Sequence, residues 1–75
     1  MQDPTQIREK LGERVRRLRE KRGWSQETLA HETGFGRSFM SAIERGKKDL
    51  RLSTLCKLAN IFEITLTQLI KNIDL

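Results

Sequence analysis

Residues 26–44 contain two short apolar patterns separated by a glycine, and this spacing constrains the fold more than any other feature. Met40 and Ile43 lie three positions apart in the second pattern, as on one face of a helix. Ala30 is small where two crossing helices must approach closely, and Gly34 can adopt the positive φ of a sharp turn. The stretch therefore predicts a helix-turn-helix, a unit whose second helix is built to enter the major groove of DNA.

Helical stripes on both sides of this motif predict the remaining helices. The first stripe has apolar spacings of four, four and three and consists of Ile7, Leu11, Val15 and Leu18. The second stripe follows the motif and consists of Leu52, Leu55, Leu58, Ala59 and Phe62. Thr65 and Gln68 have the spacing of a capping box, which predicts a short last helix. Because no useful strand-like alternation occurs, we expect an all-α fold, a compact domain of five helices.

Single residues mark the expected boundaries of these elements. Ser25 is expected to cap the first helix of the motif, and Gly46 to close the second. Pro4 leaves two alternatives for the N-terminus, a flexible tail or a proline in the first helical turn. We assign residues 1–6 to a flexible tail and residues 7–75 to the folded domain.

Composition restricts the class of protein and its location. A chain of 75 residues forms one domain with a small core, so that a dimer interface would help to stabilise it. No apolar run approaches the roughly 18 residues that span a bilayer, and the N-terminus lacks the apolar region of a signal peptide. The single Cys56 cannot form an internal disulfide, which suits a reducing cytoplasm. We therefore expect a cytoplasmic protein.

The positive charge is concentrated towards the motif. The net charge is +5, and residues 37–51 hold five Lys or Arg against two acidic residues. Residues 52–75 hold two basic and two acidic residues in a stretch rich in Leu and Ile. A basic patch favours a polyanionic partner through counterion release, although a solvated surface would give the same pattern.

Several motifs in this chain resemble the phage repressor/Cro (XRE) helix-turn-helix family. They are LGERVRRLR at 11–19, GWSQETLA at 23–30, IERG at 43–46 and LSTLCKLA at 52–59. The resemblance spans roughly residues 7–71 and implies a lambda-repressor-like DNA-binding domain. Residues 43–53 also resemble the controller proteins of bacterial restriction–modification systems. The chain lacks the proline that many other family members place before the fourth helix, which favours the same subgroup.

The second helix of the motif should present its N-terminal turn and outward face to base edges. By position and by resemblance, the expected base-reading residues are Arg37, Ser38, Ser41 and Ala42. A bidentate bond from Arg37 to guanine would contribute about 1–3 kcal/mol of discrimination, whereas the alternative for this residue is a phosphate contact. Ala42 has only a methyl group, which suits contact with a thymine methyl or close approach.

Other residues are expected to bind the DNA backbone. They are Gln26, Phe39, Lys47, Lys48 and Arg51. The resemblance gives Gln26 a phosphate contact at the start of a helix, where free N–H groups attract anions. Phe39 has two alternatives, clamping a sugar-phosphate edge or packing between the helices. The resemblance also implies that Arg19 and Glu44 form a structural ion pair between the first and third helices.

We expect a homodimer, because one recognition helix reads too few base pairs for useful affinity. The candidate interface residues come from the neutral last third and are Ile61, Ile64, Leu66, Leu69 and Ile73. Some of them must serve the core of the monomer, and the sequence does not say which. Two-fold pairing predicts a palindromic operator with half-sites about 34 Å apart.

The inventory of reactive side chains argues against an enzyme. The chain has one His and one Cys, and it lacks a Gly-rich phosphate loop and metal-ligand spacing, so no metal or cofactor is expected. We expect His31 on the surface, Trp24 in a partly buried packing position and Cys56 as an inert small side chain. No site for a small-molecule effector is expected.

An interaction module of the antitoxin type is the alternative from another class, because antitoxins share this motif. A long tail that wraps a toxin would distinguish it, and we expect the early end of this chain to count against that function. Activation of transcription would require contact with RNA polymerase, for which Glu27 and Glu32 are candidates. The alternative for both carboxylates is helix capping or solvation. The expected partners are double-stranded DNA and a second copy of the chain.

Overall fold

Residues 3–73, which the computed structural model describes, form five helices and no strand. In chain order they are α1 (Pro4–Lys21), α2 (Gln26–Thr33), α3 (Arg37–Glu44), α4 (Leu52–Ile61) and α5 (Leu66–Ile70). Helix α1 packs against α3 and α5, α2 packs against α3 and α4, and α4 packs against α5. The predicted all-α, five-helix class is confirmed. Residues 1–2 of the expected tail and 74–75 of the expected domain lie outside the described residues.

The first helix begins at Pro4, which is the second of the two alternatives for the N-terminus. The side chain of Asp3 caps this helix by accepting a hydrogen bond of 2.9 Å from the backbone N–H of Thr5. Proline suits the first turn, since its nitrogen needs no helical partner there. The flexible tail predicted over residues 1–6 is therefore wrong from Pro4 onward.

The turn of the helix-turn-helix forms where the sequence predicts it. Ser25 caps α2, and its hydroxyl accepts a bond of 3.0 Å from the backbone N–H of Thr28. The helix ends at Gly34, whose φ of 78° is left-handed and whose N–H donates to the carbonyl of Ala30 at 2.9 Å. Glycine adopts this conformation without the steric cost that a Cβ imposes. The chain can then reverse within three residues and begin α3.

Helix α5 is only five residues long and is held at both ends. At its start, Thr65 and Gln68 form the predicted capping box, with bonds of 3.0 Å to the Thr65 hydroxyl and 2.8 Å to the Gln68 side-chain oxygen. Towards its end, Arg14 of α1 donates to the carbonyl oxygen of Gln68 at 2.8 Å and to that of Lys71, the residue after the helix, at 2.7 Å. These bonds fix α5 against α1.

The buried core is formed by all five helices and by residues that follow α4 and α5. Its members are Leu11, Val15, Leu29, Ala30, Met40, Ile43, Leu58, Ala59, Phe62, Leu69 and Ile73. Leu69 is fully buried and Ile73 is 6% exposed, so both serve the monomer. Leu69 therefore offers no surface to a partner, and its predicted place in a dimer interface is wrong. For Ile73, whose accessible edge lines an apolar groove, the interface role stays a prediction.

Two glycines allow α1 to approach the end of α3. A Cβ added at Gly12 would lie 2.4 Å from the carbonyl oxygen of Ile43 and 2.6 Å from that of Glu44. A Cβ added at Gly46, whose φ is +70°, would lie 2.6 Å from the Cα of Glu9. The opposing atoms belong to the backbone and cannot rotate aside. Both glycines therefore set the position of α3 relative to α1.

A buried ion pair also joins these two helices. Arg19 Nε donates to Glu44 Oε2 at 2.6 Å, and Arg19 Nη2 donates to Glu44 Oε1 at 3.0 Å. The two side chains are 12% and 3% exposed, respectively. The hydrogen bonds to Glu44 raise the pKa of Arg19 above its ordinary value. Stability from a raised pKa is lost only as the pH rises through that pKa, so the pair persists throughout the physiological range.

We expect the substitution Gly12→Ala to lower the free energy of unfolding. The added methyl group would overlap two carbonyl oxygens, a cost that exceeds the roughly 1 kcal/mol by which alanine favours a helix. The net loss should be about 1–2 kcal/mol, measured by urea denaturation. Asn60→Ala at an exposed position of α4 is the control, because it brings a gain in helix preference without a steric clash. Equal stability of the two variants would contradict the close packing of α1 on α3.

Breaking the ion pair from one side should cost more than removing both partners. Arg19→Met leaves the carboxylate of Glu44 buried without its cation, and we expect a loss of about 3 kcal/mol. In the double variant Arg19→Met/Glu44→Leu no uncompensated charge remains, so the loss should be smaller than the sum of the two single losses. Chemical denaturation of the four proteins measures this coupling, and additive losses would contradict it.

Candidate nucleic-acid interface

The outward face of α3 carries three of the four predicted base-reading residues. Arg37 and Ser38 are exposed, and Ser41 is half-buried one turn further along. Met40 and Ile43 are 0% and 2% exposed and hold the opposite side of the helix in the core. This burial leaves the face of Arg37, Ser38 and Ser41 accessible, as a recognition helix requires.

Ala42 does not belong to this accessible face. It is only 7% exposed, and its carbonyl oxygen accepts a bond of 2.9 Å from the backbone N–H of Lys47. Each residue of an α-helix turns by about 100°, which carries Ala42 from the side of Ser41 towards that of buried Ile43. Little of Ala42 is accessible to a base, and this burial argues against the predicted contact.

An ion pair joins the first turns of the two motif helices. Arg37 Nη1 donates to Glu27 Oε1 at 3.3 Å, and the two side chains are 61% and 79% exposed. Sequence reasoning missed this pair, because it treated Glu27 only as a capping or solvated residue or a polymerase contact. The available signal was an acidic residue in the first turn of α2 and a basic one in the first turn of α3.

The side chain of Gln26 is oriented by the buried ion pair. It is half-buried at the start of α2, and its Nε2 donates to Glu44 Oε1 at 3.1 Å. A side-chain amide nitrogen carries two N–H groups, so this bond leaves one further donor. The position at a helix N-terminus, where backbone N–H groups and the dipole favour anions, suits a phosphate.

Phe39 packs against the turn of the motif. The ring is half-buried and meets Phe35 edge-on, with centroids 5.3 Å apart and an angle of 87° between the planes. The Phe35 ring also lies near a cation, since Lys57 Nζ is 5.5 Å from the centroid of this ring. The ring thus packs against the motif, and because it is only half-buried, contact with a sugar-phosphate edge stays a prediction.

A basic loop follows α3. Its cations are Lys47, Lys48 and Arg51, all of them exposed. The ion pairs found among residues 3–73 involve none of the three side chains. The loop also holds exposed Asp49, so that it presents a net positive charge that no ion pair among the described residues compensates, next to the recognition helix. A phosphate backbone is attracted to such a charge.

We assign no role in DNA binding to Trp24, His31 or Cys56. Trp24 is half-buried and stacks on Phe62, with ring centroids 6.0 Å apart and 28° between the planes, and Arg22 lies 5.2 Å from the Trp24 ring. His31 and Cys56 are exposed.

Within the described part of the chain, no cluster of three or more His, Cys, Asp or Glu side chains is arranged to hold a metal ion. No helix among those same residues has the length and apolar character to cross a membrane.

Comparisons with known proteins agree with this arrangement. Residues 12–75 match a family described as a helix-turn-helix domain. The chain is 35% identical over 69 residues to the control protein C.MunI of a Mycoplasma species, covering 91% of this chain and 93% of C.MunI. It is also 35% identical to a hypothetical transcription factor of Neisseria meningitidis serogroup B over 91% of this chain, and it spans 64% of that relative's length.

Solved structures show the same fold. The crystal structure of the restriction–modification controller protein C.AhdI from Aeromonas hydrophila matches with a TM-score of 0.77 and 41% identity, covering 81% of this chain and 92% of C.AhdI. The predicted resemblance to the repressor/Cro family and its controller proteins is therefore confirmed. The chain belongs to the helix-turn-helix family of XRE type and is a DNA-binding transcriptional regulator related to restriction–modification controller proteins.

Proposed function

We propose that the protein is a homodimeric, sequence-specific regulator that binds a palindromic operator and controls its own gene and that of a restriction endonuclease. The observation that carries this proposal is the exposed face of α3 beside an uncompensated basic loop. The similarity to C.MunI, named a control protein, and to C.AhdI, named a restriction–modification controller, supports the choice of regulated genes.

Base reading is assigned to the first turn and outward face of α3. Arg37 donates two N–H groups to O6 and N7 of a guanine, which is the commonest specific contact in the major groove. Ser38 and Ser41 each donate or accept one hydrogen bond and discriminate less sharply. Ala42 is left out of this set because it is buried.

Phosphate binding is assigned to two groups that flank α3. Gln26 and the N-terminus of α2 hold one phosphate, through the amide donor not bonded to Glu44 and through backbone N–H groups. The basic loop of Lys47, Lys48 and Arg51, which follows α3, holds a further part of the backbone. Phosphate contacts position the protein and supply affinity, whereas the α3 contacts supply the sequence preference.

We place the dimer interface on the surface formed by α1, α4 and α5. Leu52 and Ile70 are the large apolar side chains that are exposed among the described residues, at 66% and 43%. Ile70 also lines an apolar groove of about 320 Å³, together with Ile7, Leu11, Leu55 and Ile73. The occupant proposed is a second copy, because residues 52–75 are balanced in charge while the whole chain is at +5. Two such chains repel least where their neutral surfaces meet.

The interface proposed here differs from the one predicted from the sequence. Leu69 is excluded as a contact residue because it is fully buried in the monomer, whereas the accessible edge of Ile73 lines the groove and stays in the proposed interface. Ile61, Ile64 and Leu66 are half-buried and pack against the core, and they stay candidates for the margin of the interface. Leu52 and Ile70 were not among the predicted interface residues.

Selection from a random pool of DNA duplexes tests the function. We expect the wild-type protein to enrich a palindromic duplex, related to DNA upstream of its own gene, that it binds about 10³-fold more tightly than a scrambled duplex. Arg37→Ala should weaken binding to the enriched duplex by about tenfold or more and binding to the scrambled duplex much less. Both affinities are measured over a salt series.

Arg16→Ala provides the matched control for this experiment. Arg16 lies on α1 and, like Arg37, forms an exposed ion pair, in this case with Glu20 at 3.3 Å. It should leave the preference for the enriched duplex unchanged. If no duplex is enriched and binding to all DNA depends steeply on salt, the protein binds DNA only through its positive charge, which would contradict the proposal.

The dimer is tested by placing a charge in the apolar groove. Ile70→Lys should convert the protein from dimer to monomer at micromolar concentration, because a desolvated ammonium would be buried against the partner. Sedimentation equilibrium measures the change. His31→Lys adds the same charge to an exposed position of α2, outside the proposed surface, and should leave the dimer intact. A wild-type protein that stays monomeric, or a dimer in which Ile70→Lys has no effect, would contradict this interface.

A further inference from the structure

We propose that Glu27 is a specificity-determining residue, which withholds Arg37 from DNA phosphates and so raises the preference for the operator, an inference that rests on the proposed function. The residue was considered above only for capping, solvation or contact with RNA polymerase. The structure instead places its carboxylate on the side chain that is assigned to read a base.

Glu27 and Arg37 form an ion pair that holds the two side chains together and contributes little to the stability of the fold. Glu27 lies in the first turn of α2 and Arg37 in the first turn of α3, and their N–O distance is 3.3 Å. Both side chains are mostly exposed, at 79% and 61%. An exposed ion pair of this kind contributes little to stability. Its effect should therefore be felt in what Arg37 binds rather than in whether the chain folds.

The carboxylate of Glu27 affects the two possible DNA contacts of Arg37, a guanine edge and a phosphate, to different extents. A guanidinium has five N–H donors, so a bond from one of them to Glu27 leaves enough for both O6 and N7 of guanine. The acceptor atoms of the base edge carry only partial negative charge, so Glu27 repels them less than it repels an anion. A phosphate is an anion, and drawing it to Arg37 brings two negative charges together beside one cation. Glu27 therefore penalises the non-specific contact of Arg37 more than the specific one.

This role differs from a general repulsion between an acidic residue and DNA. General repulsion would weaken binding to all sequences and would not require Arg37 to be present. An effect that passes through Arg37 must vanish when Arg37 is removed, which a double-mutant cycle can detect. Glu32 supplies the comparison, because it is an exposed carboxylate on the same helix that forms no ion pair among the described residues.

The test measures Glu27→Gln on the enriched duplex and on the scrambled duplex of equal composition. We expect the affinity for scrambled DNA to rise about two- to fivefold, the range of an exposed ion pair, and the affinity for the enriched duplex to rise less. The discrimination ratio should fall accordingly. The salt dependence on scrambled DNA should also steepen by about 0.9 in log–log slope for each phosphate that Arg37 gains.

The controls separate this inference from the function on which it depends. Glu32→Gln should leave the discrimination ratio unchanged, and Glu27→Gln should no longer alter it in an Arg37→Ala background. Circular dichroism and thermal unfolding check that each variant is folded. Two results would overturn the role of Glu27 and leave the proposed function standing. One is a discrimination ratio that Glu27→Gln does not change; the other is a fall in that ratio that persists in the Arg37→Ala background. Equal wild-type binding to both duplexes would overturn the proposed function and this role with it.

Discussion

The carboxylate of Glu44 joins three helices, and the position of the recognition surface depends on it. Arg19 from α1 and Gln26 from α2 both donate to this last residue of α3. The side chain of Glu44 is 3% exposed, and a charge so deeply buried is tolerated only when donors compensate it. Since the same bonds orient Gln26 at the N-terminus of α2, one cluster serves both the fold and the proposed phosphate contact.

Close contact between backbones makes this cluster possible in so small a core. Helices α2 and α3 have eight residues each, which is too short for stability without tertiary packing. Gly12 and Gly46 bring α1 against the end of α3, so that Arg19 reaches Glu44. A larger side chain at either glycine would push α3 outward and lengthen the ion pair. We therefore expect the geometry of the recognition face to be sensitive to residues that never touch DNA.

Local signals predicted the helices well, whereas contacts between helices followed only from the family resemblance, as for Arg19 and Glu44, or were missed. Ser25 and Gly34 mark their boundaries through hydrogen bonds and a positive φ that are set within a few residues. Ala42 was misplaced because, in a helix of eight residues, the angle at which neighbours cross decides which intermediate positions are covered. The pair of Glu27 and Arg37 depends on the same crossing angle and spans ten positions of sequence. Apolar periodicity likewise does not distinguish a core residue from an interface residue on the same helix.

Specificity in a basic DNA-binding protein depends on keeping non-specific binding low. With a net charge of +5 and an uncompensated loop of Lys47, Lys48 and Arg51, this chain has electrostatic attraction for any duplex. More cations would raise the affinity for the operator and for non-specific DNA alike and leave the ratio of the two unchanged. A carboxylate beside the base-reading arginine instead lowers the affinity of that arginine for phosphate more than its affinity for a base. Because genomic DNA offers a vast excess of competing sites, the ratio matters more than the affinity for the operator itself. The placement of Glu27 against Arg37 is the arrangement that such competition favours.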